Sequence, residues 1–204
     1  MITQIVLAAG LSTRMKTSKP LLDFGGMPLL TRLLEECRRS AVDEIVVVLG
    51  HEKAKIQEQV DLSGVRVVAN DQYRKGQTSS FQCALRNLHA GTKAFLNLPV
   101  DHPLVTRREI DALVEAYRSR ESQAKIFIPE FEGRPGRPVL FDRDLAIEIL
   151  ALDSEDPVHG IIKQYQKDVA RVPVENPHIM KDMDTPEDYR ECLGLWEESR
   201  GPVS

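Results

Sequence analysis

Cysteine is scarce in this 204-residue chain: Cys37, Cys83 and Cys192 are its only thiols. They are odd in number, widely spaced and form no C-x-x-C pair, so neither a disulfide framework nor a zinc site is indicated. Reduced thiols in a cytoplasm are the simplest reading. Excess positive charge is missing as well. The net charge is −4, without the basic face that nucleic-acid binding requires. No apolar run approaches the about 18 residues of a transmembrane helix, so no membrane partner is expected. No basic leader precedes the first strand-like run, which predicts no secretory signal. Repeats, low-complexity segments and linkers are also absent. Hydrophobic residues at 42% and charged residues at 28% then describe an ordinary globular protein. Its length suits one domain, residues 1–204, with a sizeable core. The tail should fray from about Glu197.

Glycine is sparse where it matters most. The run Ile5-Val6-Leu7-Ala8-Ala9-Gly10-Leu11-Ser12-Thr13-Arg14-Met15 has one, and Lys19-Pro20 follows. That excludes both the Walker A loop and G-x-G-x-x-G. What is present still suits a polyphosphate. An apolar strand ends in small residues that let backbone approach a ligand, and two cations, Arg14 and Lys19, follow. Freed N–H groups and cations favour negative charge. The loop leaves the first strand, so it belongs at the carboxyl edge of a sheet, where open α/β folds bind ligands. The bland alternative is tight packing at a strand end with two solvated charges.

Strand-like and helix-like segments alternate, which predicts an α/β fold with a mostly parallel, mixed sheet and helices on both faces. Strands are expected at Gln4–Ala8, Glu44–Leu49, Val65–Ala69, Ala94–Leu98 and Lys125–Pro129. Shorter ones are expected near Pro138–Phe141 and Asp168–Pro173. Their near-continuous apolar runs suit strands covered on both faces. Helices are expected at Pro28–Arg39, Glu52–Gln59, Ser79–Leu88, Arg107–Ser119, Arg143–Leu150, Val158–Lys167 and Pro186–Glu198. Thr106 and Glu109 have capping-box spacing, and Thr185-Pro186 marks another helix start. The Gly-, Pro- and Arg-rich stretch Glu130–Pro138 reads as a surface turn.

Three further groups bear chemistry. Asp101, in Pro99-Val100-Asp101-His102-Pro103, follows a strand and is held between prolines. It serves either a turn or a Mg²⁺ ion, which takes one or two carboxylates plus substrate phosphates. His102 beside it reads as a structural turn histidine. Asp182 and Asp184 lie two apart before a helix start, so in extended backbone both face one site, or they serve the helix dipole. Gly76-Gln77-Thr78-Ser79-Ser80 joins a glycine to three hydroxyls, of which one is a helix cap. Asn70 and Gln77 have amides suited to a base edge.

These residues resemble a known family. Leu7-Ala8-Ala9-Gly10-x-Ser12-x-Arg14-Met15 with Lys19 looks like the signature loop of the molybdenum cofactor nucleotidyltransferases, nearest to their cytidylyltransferase branch. The likeness continues in Phe24-Gly25-Gly26-x-Pro28-Leu29-Leu30, Gly76-x-Thr78-Ser79-Ser80, Pro99-Val100-Asp101-His102-Pro103, Gly136-Arg137-Pro138-Val139-Leu140-Phe141 and Asp182-Met183-Asp184-Thr185-Pro186-Glu187-Asp188. The blocks keep the family's order and span nearly the whole chain.

The resemblance implies a Rossmann-like nucleotidyltransferase fold and CMP transfer from CTP to the phosphate of molybdopterin, with Mg²⁺ or Mn²⁺ and release of pyrophosphate. It implies catalytic roles for Arg14, Lys19 and Asp101, and a metal held by Asp101 and Asp184. Nucleotide contacts fall to Leu7, Ala8, Ala9, Gly10, Ser12, Arg14, Lys19, Gly76, Thr78, Ser79, Ser80, Pro99 and Asp101. Acceptor contacts fall to Asp182 and Arg137. A molybdoenzyme or its chaperone is the implied protein partner. Other readings are GTP as donor, a sugar-1-phosphate or phospholactate-type acceptor, or a delivery protein without catalysis. Two residues depart from the family: Lys16 stands where Gly is usual, and Arg137 where His is frequent.

Overall fold

The computed structural model describes residues 1–15, 17–119 and 123–200; the Lys16 departure lies outside the described residues. Eight strands form one mixed sheet: β1 (Ile2–Ala8), β2 (Glu44–Leu49), β3 (Arg66–Ala69), β4 (Ala94–Pro99), β5 (Ile126–Phe131), β6 (Arg134–Pro135), β7 (Val139–Asp142) and β8 (Val169–Pro173). The order is β3-β2-β1-β4-β7-β5-β6, and β8 pairs with β5. The four strands β3, β2, β1 and β4 are parallel. Strand β7 runs antiparallel to both β4 and β5.

Alternation along the strands divides the core into two layers. Val6 and Ala8 of β1 face the layer that holds α1 (Leu29–Arg38), α2 (Lys53–Gln59), α4 (Arg107–Ser119) and α7 (Pro186–Arg200). Ile5, Leu7 and Ala9 face the layer of α3 (Gln77–Arg86), α5 (Leu145–Ala151) and α6 (His159–Gln164). Helix α1 buries Leu29, Leu30, Leu33, Leu34 and Cys37, a stripe with helical spacing. At the start of α4, Glu109 Oε2 accepts the Thr106 N–H at 2.7 Å, and Thr106 Oγ1 accepts the Arg108 N–H at 3.3 Å. The expected capping box is present.

Three segments differ from expectation. The Glu130–Pro138 turn is a hairpin, because Glu132 (φ 48°) and Gly133 (φ 78°) both take left-handed backbone, as a tight two-residue hairpin loop demands. Helix α6 stops at Gln164, where a 3-10 turn over Gln166–Asp168 leads into β8. Helix α7 runs past its expected end at Glu198, to Arg200. Its last turns are anchored by Trp196, whose ring lies 5.4 Å from that of Phe24. A Cβ on Gly25 would sit 1.9 Å from this indole, so glycine is what lets the ring in. The three cysteines are free thiols. Burial pushes the thiol of Cys37 up to about 12 and that of Cys192 up to about 11.

Register places the site. Ala8 is level with Leu49, and Leu7 with Pro99. The carboxyl ends of β1, β2 and β4 therefore finish together, with the segments that follow them side by side.

Candidate functional site

A cavity of about 290 Å³ opens at this edge, lined by Leu7, Ala9, Gly10, Ser12, Arg14 and Lys19 from the first loop and by residues from three other segments. A Cβ on Gly10 would meet no protein atom within 4 Å; the space above this backbone belongs to the cavity. Ser12 takes left-handed backbone (φ 51°). Its Oγ accepts the Lys19 N–H at 3.1 Å, and its carbonyl accepts the Met15 N–H at 3.1 Å. The loop thus folds back and fixes where Lys19 starts. Ser12 holds Lys19 in place through this bond.

Lys19 is buried, at 9% exposure. Its Nζ donates to Asp184 Oδ1 at 2.7 Å and reaches Asp101 Oδ2 at 3.5 Å. Arg14 donates to Asp184 Oδ2 at 2.7 Å from an exposed position. Burial pushes the Asp184 carboxyl up, but the Lys19 hydrogen bond and charge, joined by Arg14, outweigh it and hold the group below the usual carboxylate range. Asp101 Oδ1 is buried without a hydrogen-bond partner. The His102 ring lies 3.8 Å from it, beyond hydrogen-bond reach. Burial lowers the His102 pKa, with Asp101 opposing and Arg137 reinforcing, so the imidazole is neutral at pH 7.

The two carboxylates suit a divalent cation. They converge on one ammonium group, which marks where positive charge belongs, and Asp101 Oδ1 is left over. Among the described residues no three His, Cys, Asp or Glu side chains cluster as a complete metal cage. Two carboxylates plus ligand phosphates are the usual set for Mg²⁺.

Asp184 reaches this place because α7 is capped just after it. Asp188 Oδ2 accepts the Asp184 and Thr185 N–H groups at 3.1 and 2.8 Å, and Thr185 Oγ1 accepts the Asp188 N–H at 3.2 Å. The Met183 N–H bonds to the Asp101 carbonyl at 2.8 Å, tying the two acidic segments together.

Several expected site residues lie elsewhere. Asp182 does not join Asp184; it lines a separate hollow with His178, Lys181 and Asp188. A turn closed by the Lys181 N–H on the His178 carbonyl leads into this irregular stretch, where the two-apart rule for a regular strand does not hold. Ala8 packs in the core, away from the cavity. Ser79 Oγ lies between Asn70 and the Gly76 carbonyl, at 3.0 and 2.8 Å. Ser80 does line the cavity, with its Oγ held by Asn70 at 3.0 Å. Asn70 is therefore a brace for α3, since both ends of its amide bond protein groups. Gly76 (φ 104°, ψ 179°) takes backbone open essentially to glycine alone. Thr78 and Arg137 line a second cavity of about 230 Å³, which shares Gln77 with the first.

Two residues escaped sequence reasoning. Tyr73 and Arg74 wall the first cavity opposite the loop, with the Arg74 guanidinium 5.5 Å from the Tyr73 ring centre. Gly50 makes that wall possible. A Cβ there would lie 2.7 Å from Tyr73 Cβ and 2.9 Å from the Ala9 carbonyl oxygen. A glycine directly after a strand was the available signal.

Comparison with known proteins fits this geometry. Bifunctional protein GlmU of Geotalea uraniireducens is 29% identical over 133 residues, which is 64% of this chain and 29% of that protein. The chain thus spans less than a third of that relative's length. The crystal structure of a Mycobacterium tuberculosis Rv0371c homologue from Mycobacterium sp. strain JC1 is 27% identical and superposes with a TM-score of 0.85, covering 97% of this chain and 98% of that one. The structure of Mycobacterium tuberculosis Rv0371c in complex with manganese is 24% identical, with a TM-score of 0.81 and coverage of 95% and 98%; it shares the fold. The pattern of the MobA-like NTP transferase domain matches residues 4–169. A chain with that match, an Asp-bracketed lysine beneath its first loop and this sheet belongs to the MobA-like NTP transferase family.

Proposed function

We propose that this protein transfers a nucleotidyl group, CMP from CTP, to the phosphate of a molybdopterin-type acceptor. The observation that carries the reading is the Arg14–Asp184–Lys19–Asp101 cluster at the level carboxyl ends of β1 and β4. An oxygen of the acceptor phosphate forms a bond to the α-phosphorus. The bond from that phosphorus to its bridging oxygen breaks, and pyrophosphate leaves with the electron pair. A phosphate monoester has a second pKa of about 6, so its oxygen is already anionic and no general base is required. The neutral His102 is in keeping with that.

Catalysis then rests on alignment and charge neutralisation. Backbone N–H groups of the first loop and Arg14 hold the β- and γ-phosphates. Lys19 neutralises charge on the leaving pyrophosphate. Asp101 and Asp184 would hold Mg²⁺ or Mn²⁺, which when bound would supply further neutralisation of phosphate charge. Tyr73 and Ala9 bound the base. Three free thiols suit a reducing cytoplasm, and no helix of the described residues is long and apolar enough to cross a membrane. The implied protein partner is a molybdoenzyme or its chaperone.

Pyrophosphate release with each of four nucleoside triphosphates, with and without isolated molybdopterin, tests the reading. Release that needs molybdopterin and is fastest with CTP is expected. Faster release with GTP would replace the donor, and nucleotide binding without release would turn the protein into a carrier.

A further inference from the structure

Lys19 stands where a cation is wanted and cannot leave without a new partner. Its main chain is pinned: Ser12 Oγ accepts its N–H at 3.1 Å, and its carbonyl accepts the Leu22 N–H at 3.2 Å. The backbone of both carboxylates is pinned too, since the Met183 N–H bonds to the Asp101 carbonyl and the Asp184 N–H to Asp188 Oδ2. Side chains are left to move. The Lys19 side chain is 11% exposed, and Asp101 and Asp184 are its ion-pair partners among the described residues. Its ammonium lies 2.7 Å from Asp184 Oδ1, whereas a Mg²⁺–oxygen bond is about 2.0–2.1 Å. An ion on both carboxylates must draw them closer than the ammonium allows, and two cations that near repel each other. The ammonium must therefore turn away before an ion binds, yet a buried charge without a partner is costly. The first cavity, which Lys19 also lines, offers it room, and an anion there offers it a partner.

We infer that Lys19 is the protein's own substitute for the divalent ion: its ammonium holds the Asp101–Asp184 position against free metal and yields it when a polyphosphate arrives to receive it. The inference rests on the metal role given above to these two carboxylates. It adds the class of ligand admitted, a metal–polyphosphate complex. Metal alone meets a Lys19 with nowhere to go. A polyphosphate alone, in drawing Lys19 away, would leave two carboxylates facing its own charge with only Arg14 on Asp184. Each ligand removes the cost of binding the other, which is positive coupling between them. Arg14 cannot act in this way. Its side chain is 68% exposed and meets Asp184 from the other oxygen, outside the space between the carboxylates. A flexible stem ending in a point charge suits such an exchange, and a planar guanidinium fork does not.

Binding of Mn²⁺ alone, read from the electron paramagnetic resonance of the free ion, tests this. Lys19→Met should bind Mn²⁺ at least about tenfold more tightly than wild type. Calorimetric titration with CTP in the presence of Mn²⁺ should move the other way, with about tenfold weaker binding in the variant, because the phosphates lose the ammonium. A lysine that merely held the site together would weaken both on removal, and that result overturns the inference. Arg14→Gln removes an equal charge from beside Asp184 but not from between the carboxylates. It should tighten Mn²⁺ by only about twofold to threefold. Lys19→Gln keeps a hydrogen-bond donor for Asp184 and serves where Lys19→Met does not fold; it too should bind Mn²⁺ more tightly than wild type. Wild type that binds Mn²⁺ alone as tightly as these variants overturns the inference, as does an equal gain from Arg14→Gln. In both cases the metal role of the carboxylates stands. If neither Lys19 variant binds Mn²⁺ and the ion does not tighten CTP in wild type, that metal role itself falls, and the inference with it.

Discussion

The first-loop cavity and the cavity beside it share Gln77, yet their polar groups are in opposite states. In the first, the cations of the loop are already paired: Lys19 lies between Asp101 and Asp184, and Arg14 holds Asp184. A triphosphate with its cation must exchange those partners for new ones. In the second, the side chains of Arg137 and Asn97 have no hydrogen-bond or ion-pair partner among the described residues. Exchange of charge for charge gives little net affinity but strong control over where charge sits, whereas filling an empty polar site gives selectivity directly. The first cavity thus fixes where charge sits, and the second leaves polar groups open.

The largest expected effect breaks the first half of that contrast. Asp101→Asn keeps the shape and removes the charge, so kcat should fall at least about 10²-fold, roughly 2.7 kcal/mol of transition-state stabilisation, with the melting temperature nearly unchanged. Near wild-type kcat in steady-state assays would remove Asp101 from the metal site.

Lys19→Ala comes next, with about a tenfold or greater loss of kcat and a pH signature. The Asp184 pKa is depressed in the folded state, with Lys19 the leading stabilising partner. Its contribution to stability is full above the unfolded value of about 3.9 and is lost as pH falls through the folded pKa. Without Lys19, only Arg14 still opposes burial, so the depression shrinks. The gap in melting temperature between wild type and variant should therefore narrow from pH 5 toward pH 2. A constant gap across that range would mean that Lys19 does not set the Asp184 charge.

Gly50→Ala sharpens the nucleotide end. The new methyl must displace Tyr73, because its Cβ would stand 2.7 Å from Tyr73 Cβ. The nucleotide KM should rise by about fivefold to tenfold, whereas binding of inorganic tripolyphosphate, measured by titration, should hold. Equal loss for both ligands would place the damage in the phosphate loop instead.

The smallest effect is in base choice. Ala9 is buried and lines the cavity, and one methyl group contributes about 1–3 kcal/mol to discrimination. Ala9→Gly should relax the CTP over GTP ratio of kcat/KM without inverting it, since the Gly76–Ser80 loop also borders the base. An unchanged ratio would clear Ala9 of that role.

Much of this was legible in the sequence. The parallel strands and their helices announced themselves because apolar runs and turn residues are local signals, as at Glu44–Leu49 and the Thr106–Glu109 cap. Lys19, Asp101 and Asp184 were legible through motif order, and the structure brings all three together. The missing parts depend on partners far along the chain. Asn70 looked like a base reader, and only its contact with Ser79 and Ser80 shows it as a brace. Asn97 sits inside an apolar strand with nothing local to distinguish it, and only the fold shows that its buried oxygen lacks a partner. Asp182 misled because alternation was applied to irregular backbone that forms no strand.

The Trp196 anchor has a consequence in time. Helix α7 grips the segment after the first loop twice: through the indole over Gly25 and through Tyr189, whose hydroxyl donates to the Asp23 carbonyl at 2.6 Å. The same helix begins beside Asp184, the partner of Lys19 165 residues earlier in the chain. During synthesis the parallel strands can pair while α7 is still inside the ribosome, since domains fold as the chain emerges. Lys19 and Asp101 must then wait for Asp184. A ribosome-bound chain stalled before Met183 would carry most of its sheet but lack Asp184, so its charge cluster would stay open on that side.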